Sequence, residues 1–292
     1  MIKLFASDLD GTLLNALHMA DSVVRAAVRA VVESGAHFAM ATGRTVRGRG
    51  DHGFEDLDIE AIGCNGALVV DSDGRVVKHF DIDPAFLEEL LRAFPRVCFE
   101  CVGVDRTLVT GTRDELLAGF RDDGIARRIM MRGMRARRER MADGFQFEQP
   151  VSAVLGQDIC KLNARVPDPG LERELQAFLA EHADTVVNAP FQPVMFEITD
   201  RLVNKGEAVA WLARYLEIGE DEVAVYGDGG NDIAMLGRFA RHGHAYATAN
   251  GCDDARRAAG NVIGPCALHA VPRHIRRTVR EQASMPVYTR IE

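Results

Sequence analysis

The sequence predicts an α/β protein in two parts, a parallel-sheet core interrupted by an inserted α+β unit. Apolar runs of strand length alternate with amphipathic runs of helix length near both ends of the chain, the pattern of a parallel sheet covered by helices. That alternation breaks down between about residues 81 and 200 and resumes at Lys205. At roughly 150 residues per domain, the 292 residues accommodate two domains. The expected boundaries are 1–80 with 201–292 for a discontinuous core, and 81–200 for the insertion.

Taken in order, residues 2–7 read as a short buried strand. Residues 21–34 read as a helix, with Val24, Ala27, Val28 and Val31 on one face and Gly35 as its stop. Residues 37–41 form the next strand, and strand–helix–strand order implies a right-handed crossover between parallel neighbours. Residues 62–70 and 75–80 read as strands joined by the hairpin signal Asp71-Ser72-Asp73-Gly74. In the insertion, 84–94 and 168–183 read as helices and 97–102, 159–166, 185–187 and 194–199 as strands. After Lys205 come a helix to about 216, strand 222–226, helix 232–239, strand 245–248, helix 253–259 and strand 261–263.

Composition narrows the function. With 35 Lys and Arg against 43 Asp and Glu, the net charge is −8, which argues against a general polyanion binder, so nucleic acid is not an expected partner. No apolar run reaches the ~18–20 residues of a membrane span. The opening Met1–Asp8 meets a carboxylate too early for a secretory leader, so the expectation is a cytoplasmic protein with no membrane partner. The six cysteines are scattered, which favours thiols over disulfides. Only four of the 35 basic residues are lysine. Nothing in the pattern specifies an oligomeric state.

The chemistry-bearing residues lie at strand ends. Asp8-Leu9-Asp10-Gly11-Thr12 follows the first strand, and residues two apart in extended backbone share a face, so both carboxylates can address the crevice beyond the sheet. Two such charges ~4 Å apart repel by about 4 kcal/mol at an effective dielectric of ~20, which calls for a cation or a shared proton. Gly227-Asp228-Gly229-Gly230-Asn231-Asp232 also follows a strand and precedes a helix, adding two carboxylates. Hard oxygen donors of this kind favour Mg²⁺. Thr42-Gly43-Arg44 ends the second strand, where a hydroxyl and backbone amides suit a phosphate oxygen. Lys205 opens a helix.

These four motifs, in this order, resemble the haloacid dehalogenase-like superfamily of phosphohydrolases, and within it the Cof-type group. Asn65-Gly66-Ala67 and Phe196-Glu197-Ile198 are similar to that group as well, and the likeness spans essentially the whole chain. The resemblance implies a Rossmann-like core with a large α+β cap that governs specificity, and a phosphatase acting on a small phosphorylated metabolite such as a sugar phosphate. It implies Asp8 as the nucleophile that forms an aspartyl-phosphate, and Asp10 as the group that protonates the leaving alcohol and then activates water. It further implies Mg²⁺ held by Asp8, the backbone carbonyl of Asp10, and Asp228. Thr42, Gly43 and Lys205 fall on the phosphate, Asn231 and Asp232 position metal waters and the lysine, and Arg44 falls on the substrate. A phosphomutase on the same scaffold and a low-turnover metabolite-binding or regulatory protein are the alternative readings.

Other signals point elsewhere or nowhere. Gly48, Gly50 and Gly53 spell a Gly-x-Gly-x-x-Gly, yet they join no strand to a regular helix and predict an irregular stretch rather than a dinucleotide site. Cys98-Phe99-Glu100-Cys101 has no second Cys-x-x-Cys, so two core thiols are expected. His242-Gly243-His244 reads as a loop beside a strand. Residues 127–140 carry seven arginines and one acid, the pattern of a helix with a basic face that meets solvent or an anionic substrate group. The segment after Gly264 departs from the ending the group carries.

Overall fold

The run Leu-Phe-Ala-Ser at residues 4–7 carries no charge, and it occupies the middle of a sheet, where every side chain is buried. The computed structural model describes residues 1–48, 51–119, 144–189 and 195–284. Residues 127–140 therefore lie outside the described residues. Two units separate, Met1–Lys78 with Asn204–Glu292, and His79–Val203.

In chain order the strands are β1 (Leu4–Ser7), β2 (His37–Ala41), β3 (Glu60–Gly63), β4 (Leu68–Val70), β5 (Val76–His79), β6 (Phe99–Gly103), β7 (Thr107–Val109), β8 (Phe145–Gln146), β9 (Ile159–Ala164), β10 (Val186–Asn188), β11 (Phe196–Asp200), β12 (Val223–Gly227), β13 (Ala245–Thr248) and β14 (Asn261–Ile263). The first unit holds a sheet in the order β14-β13-β12-β1-β2-β3-β4-β5. Its strands from β14 to β3 are parallel. From β1 the chain proceeds outward to β2, and from β12 outward the other way to β13. The strand order therefore reverses between β1 and β12, and the loops after these two strands flank the switch point where open α/β sheets bind ligands.

Local chemistry explains the elements that frame this crevice. The helix Ser22–Glu33 starts where Asp21 accepts from the amides of Val23 and Val24, a cap worth about 1 kcal/mol. It buries Val24, Ala27, Val28 and Val31, at about 1.5–3 kcal/mol for each fully buried valine. The same helix packs against the helix Ala270–Ala283, an element the sequence pattern does not reveal. The late helix is strongly polar and buries only Val271, Pro272 and Ile275, so its apolar stripe is too thin to stand out. After Arg44 no helix forms among the described residues before β3. The irregular stretch is nonetheless anchored by the buried Val46, Phe54 and Leu57.

One expected element is corrected. Residues 62–70 do not form a single strand, because β3 and β4 are antiparallel partners, with Ile62 opposite Val69. Cys64, Asn65 and Gly66 take φ values of +53°, +58° and +112°. Three successive left-handed residues reverse the chain, and Asn and Gly are the residue types that tolerate this at low cost.

The second unit contains a sheet in the order β10-β11-β9-β6-β7-β8, antiparallel except for the β7–β8 pair. The helices Pro84–Ala93 and Pro169–Glu181 contribute Phe86, Leu90, Leu175 and Leu179 to a core shared with Phe99, Cys101, Leu162 and Ile198 of the sheet. The opposite parity of the central strands is polar: Lys161, Asn163, Glu197 and Thr199 are all buried. Among the described residues no helix is long and apolar enough to cross a membrane.

Candidate active site

The turn after β1 is a wide one, in which Leu13 N donates to Asp8 O at 3.2 Å and Leu14 N to Leu9 O at 2.9 Å. It closes around Gly11 at φ +81°, where a Cβ would stand 2.3 Å from Asp228 Oδ2. Glycine is required there both for its backbone angle and for the approach of a second loop. Thr12 donates its hydroxyl to Asp228 Oδ1 at 2.7 Å. The two acidic loops are thus joined directly.

Lys205 is the first residue of the helix Lys205–Tyr215, which Asn204 caps through the amide of Glu207. Its Nζ donates to Asp8 Oδ1 at 2.5 Å and to Asp232 Oδ1 at 2.7 Å, and it is fully buried. The other oxygen of Asp232 accepts from the amides of Asp228 and Gly229, both at 2.9 Å. Asp232 therefore spends both oxygens, one orienting the lysine and one shaping the loop that carries Asp228. Carboxylate oxygens of Asp8, Asp228 and Asp232 lie within 4.8 Å of one another.

Burial pushes the carboxyl of Asp8 well up, and the charges of Asp232 and Asp228 push it the same way against the pull of Lys205. Burial likewise raises Asp228 to about 6. Burial alone would lower Lys205, yet Asp232 and Asp8 overcome it and raise it. One ammonium among three carboxylates leaves an excess of negative charge. The donor set suits a hard divalent cation: Lys205 takes one oxygen of Asp8 and Thr12 one of Asp228, while the second oxygen of each has no protein donor among the described residues.

The remaining predicted residues form a second group. Asp10 accepts from Arg44 Nε at 2.7 Å, from a second Arg44 nitrogen, and from His18 Nδ1 at 2.6 Å. Burial works upward on Asp10, but the Arg44 and His18 contacts hold it below the usual carboxylate range. Its side chain is thereby tied to Arg44 and stands outside the Asp8–Asp228–Asp232 cluster. Thr42 is buried, and its hydroxyl oxygen accepts from the Arg44 amide at 3.1 Å, which directs the O–H away from that amide. Asn65 donates its amide N–H to the Thr42 carbonyl at 3.0 Å, and its side-chain oxygen accepts from Asn231 Nδ2 at 3.0 Å. A Cβ on Gly43 would stand 2.9 Å from that same oxygen. Asn65 thus joins the Thr42–Arg44 loop to the Asp228–Asp232 loop.

Two participants escaped prediction from residue chemistry. His18 sits in a turn at φ +57° with no pattern around it. Asn65 is visible only through the likeness of Asn65-Gly66-Ala67 to a known group; the structure places it and Gly66 in left-handed backbone, which the Asn-Gly pair, two residue types that tolerate it, could have suggested.

Comparison with known proteins defines the class. Residues 5–275 match the haloacid dehalogenase-like hydrolases. Among relatives, Phosphatase YwpJ of Bacillus subtilis is 27% identical over 265 residues, covering 80% of this chain and 86% of that protein. The HMP-PP phosphatase of Yersinia enterocolitica is 26% identical over 246 residues, with 82% of each chain covered. Among solved structures, a haloacid dehalogenase-like hydrolase from B. subtilis superposes with a TM-score of 0.77 at 24% identity, over 94% of this chain and 99% of that one. One from Bacteroides thetaiotaomicron gives 0.76 at 16% identity, over 95% and 100%. The molecule is a hydrolase of the phosphatase class, with a mixed α/β fold. The chain belongs to the haloacid dehalogenase-like hydrolases.

Proposed function

We propose that this phosphatase hydrolyses a small organic phosphate monoester in the cytoplasm, using Mg²⁺ and an aspartyl-phosphate on Asp8. The observation that carries this reading is the buried Asp8–Lys205–Asp232 chain beside Asp228. Asp8 attacks phosphorus with a carboxylate oxygen as the bond to the leaving alcohol breaks. Lys205 fixes the other oxygen of Asp8 and meets charge on the phosphoryl oxygens, and the Thr42 hydroxyl and Gly43 amide take the remainder. Once a substrate anion draws Arg44 away, Asp10 loses the contact that holds its carboxyl low, and it can then carry the proton it gives to the alcohol and later accept one from the water that cleaves the intermediate. Asp8, Asp228 and the Asp10 carbonyl would hold Mg²⁺, which when bound offsets repulsion between carboxylate and phosphate and polarises the phosphoryl group. Asn231 and Asp232 orient the loop around these groups.

Arg44 spans two tasks in this reading. Its guanidinium holds Asp10 in the resting geometry, and a substrate phosphate or anionic substituent competes for the same planar fork. The second unit, His79–Val203, acts as the specificity cap. The substrate class this reading assigns is a phosphorylated metabolite. The HMP-PP phosphatase relative fits the same substrate class.

The test is a panel of phosphorylated metabolites assayed for released phosphate with Mg²⁺, with Asp8→Asn as the blank. One phosphate per ester consumed, abolished in Asp8→Asn, is the expected result. Isomerised ester without phosphate release would indicate a mutase, and full activity in Asp8→Asn would remove the nucleophile assignment.

A further inference from the structure

β9 carries one more residue than its neighbour. Val102 of β6 pairs with Lys161 and Gly103 pairs with Ile159, so Cys160 is the extra residue of a bulge. Bulges re-aim the side chain they insert. Ile159 and Leu162 accordingly both join the apolar core, while Cys160 turns its Sγ toward Asp81, 3.7 Å from Oδ1. That carboxylate oxygen is also 2.9 Å from His79 Nδ1. His79 closes β5 and Asp81 follows two residues later, and the amide of Ile82 donates to Ile159 O at 2.8 Å, which seats this segment beside Cys160.

We propose that His79, Asp81 and Cys160 form a zinc site within the second unit, separate from the oxygen-rich catalytic cluster. Their nitrogen, oxygen and sulfur atoms lie within 4.8 Å of one another. Zn²⁺ bound at about 2.0–2.3 Å needs tetrahedral neighbours about 3.3–3.8 Å apart, so a small rotation of the Asp81 carboxylate out of its contact with His79 accommodates the ion. Imidazole and thiolate donors select zinc over Mg²⁺, and thiolate plus carboxylate neutralise the dication. Binding displaces the Cys160 thiol proton to solvent.

A cavity of about 540 Å³ abuts this segment, with Asp81 and Ile159 in its wall, and Asp83, Asp158 and Asp200 in the same wall add negative charge near Asp81 that favours a cation. Cys160 is 1% exposed, whereas the His79 and Asp81 side chains are 37% and 35% exposed. The ion would thus have a buried anchor and an open fourth position for water. Bound there, it pins residues 79–81 to the central strand β9.

Co²⁺ titration of the full-length protein in excess Mg²⁺ tests this, because only a thiolate ligand yields a sulfur-to-cobalt charge-transfer band and Mg²⁺ keeps the oxygen site occupied. A band saturating at one equivalent, displaced by Zn²⁺ and lost in Cys160→Ser, is expected. His79→Gln alters a partly exposed side chain and keeps the fold, and it should weaken Co²⁺ binding at least about tenfold. Absence of the band in the wild type, its persistence in Cys160→Ser, or unchanged affinity in His79→Gln would each overturn the proposal.

Discussion

The ammonium of Lys205 sits 2.5 Å from Asp8 Oδ1, with both side chains buried. An ion pair taken out of water persists only when further partners compensate its desolvation, and Asp232 is that partner here. The lysine therefore carries stability and chemistry together. Lys205→Met leaves two buried carboxylates without a cation, so it should cost about 3–5 kcal/mol of stability and reduce phosphate release at least about 100-fold. Thermal unfolding read beside phosphate release checks both, and an unchanged melting temperature would contradict the coupling.

Gly66 makes a separate prediction about positioning. At φ +112° it brings its backbone so close to the helix start that a Cβ would stand 2.6 Å from the Asn204 carbonyl oxygen. Gly66→Ala should cost roughly 1–3 kcal/mol through backbone strain and displace the turn that introduces Lys205, lowering activity as well. Gly237 lies inside the helix Ile233–Ala240, and a Cβ there meets nothing within 4 Å. Gly237→Ala should instead stabilise by about 0.5–1 kcal/mol with activity unchanged. Denaturant melts of the two variants should move in opposite directions.

Asp228 supplies the metal prediction. Mg²⁺ that binds only the folded protein stabilises it by mass action, about 2.7 kcal/mol at 100 times its dissociation constant. Adding Mg²⁺ to chelator-treated protein should raise the melting temperature and restore phosphate release. Asp228→Asn should lose most of both effects, since the carboxamide is a neutral ligand that no longer compensates the cation. A melting shift in Asp228→Asn equal to that of the parent protein would place the ion elsewhere.

What the sequence disclosed follows from where each signal resides. Asp8, Lys205, Asp228 and Asp232 were legible because strand-end position and residue chemistry are both local, and the parallel pattern then brought β1 and β12 side by side. The contact between Arg44 and Asp10 was not legible, because it spans 34 residues and competes with a substrate role for the same guanidinium. The reversal at Cys64–Gly66 was hidden inside an apolar run that alternation alone reads as continuous. The Cys160 bulge is a property of pairing between strands, which no single-strand pattern contains.

Glu220 predicts a pH dependence away from the active site. It lies just before β12 and receives Arg238 Nη2 at 2.7 Å and Arg241 Nη2 at 2.6 Å. The Arg238 hydrogen bonds, with those of Arg241, pull its carboxyl from 4.5 down to about 2. A carboxyl with a depressed folded-state value binds its proton more readily in the unfolded chain. Its contribution is therefore present above about pH 4.5 and lost as pH falls from there toward 2. Glu220→Gln should lower stability at pH 7 by about 1 kcal/mol, a partly exposed network being worth little more. The gap between variant and parent should close as the solution is acidified through that window, and it should narrow in 1 M salt, where the Debye length is about 3 Å. Urea melts at pH 7, 4 and 2.5 measure this directly. A gap that stays constant across all three would show that Glu220 acts through packing and not through its charge.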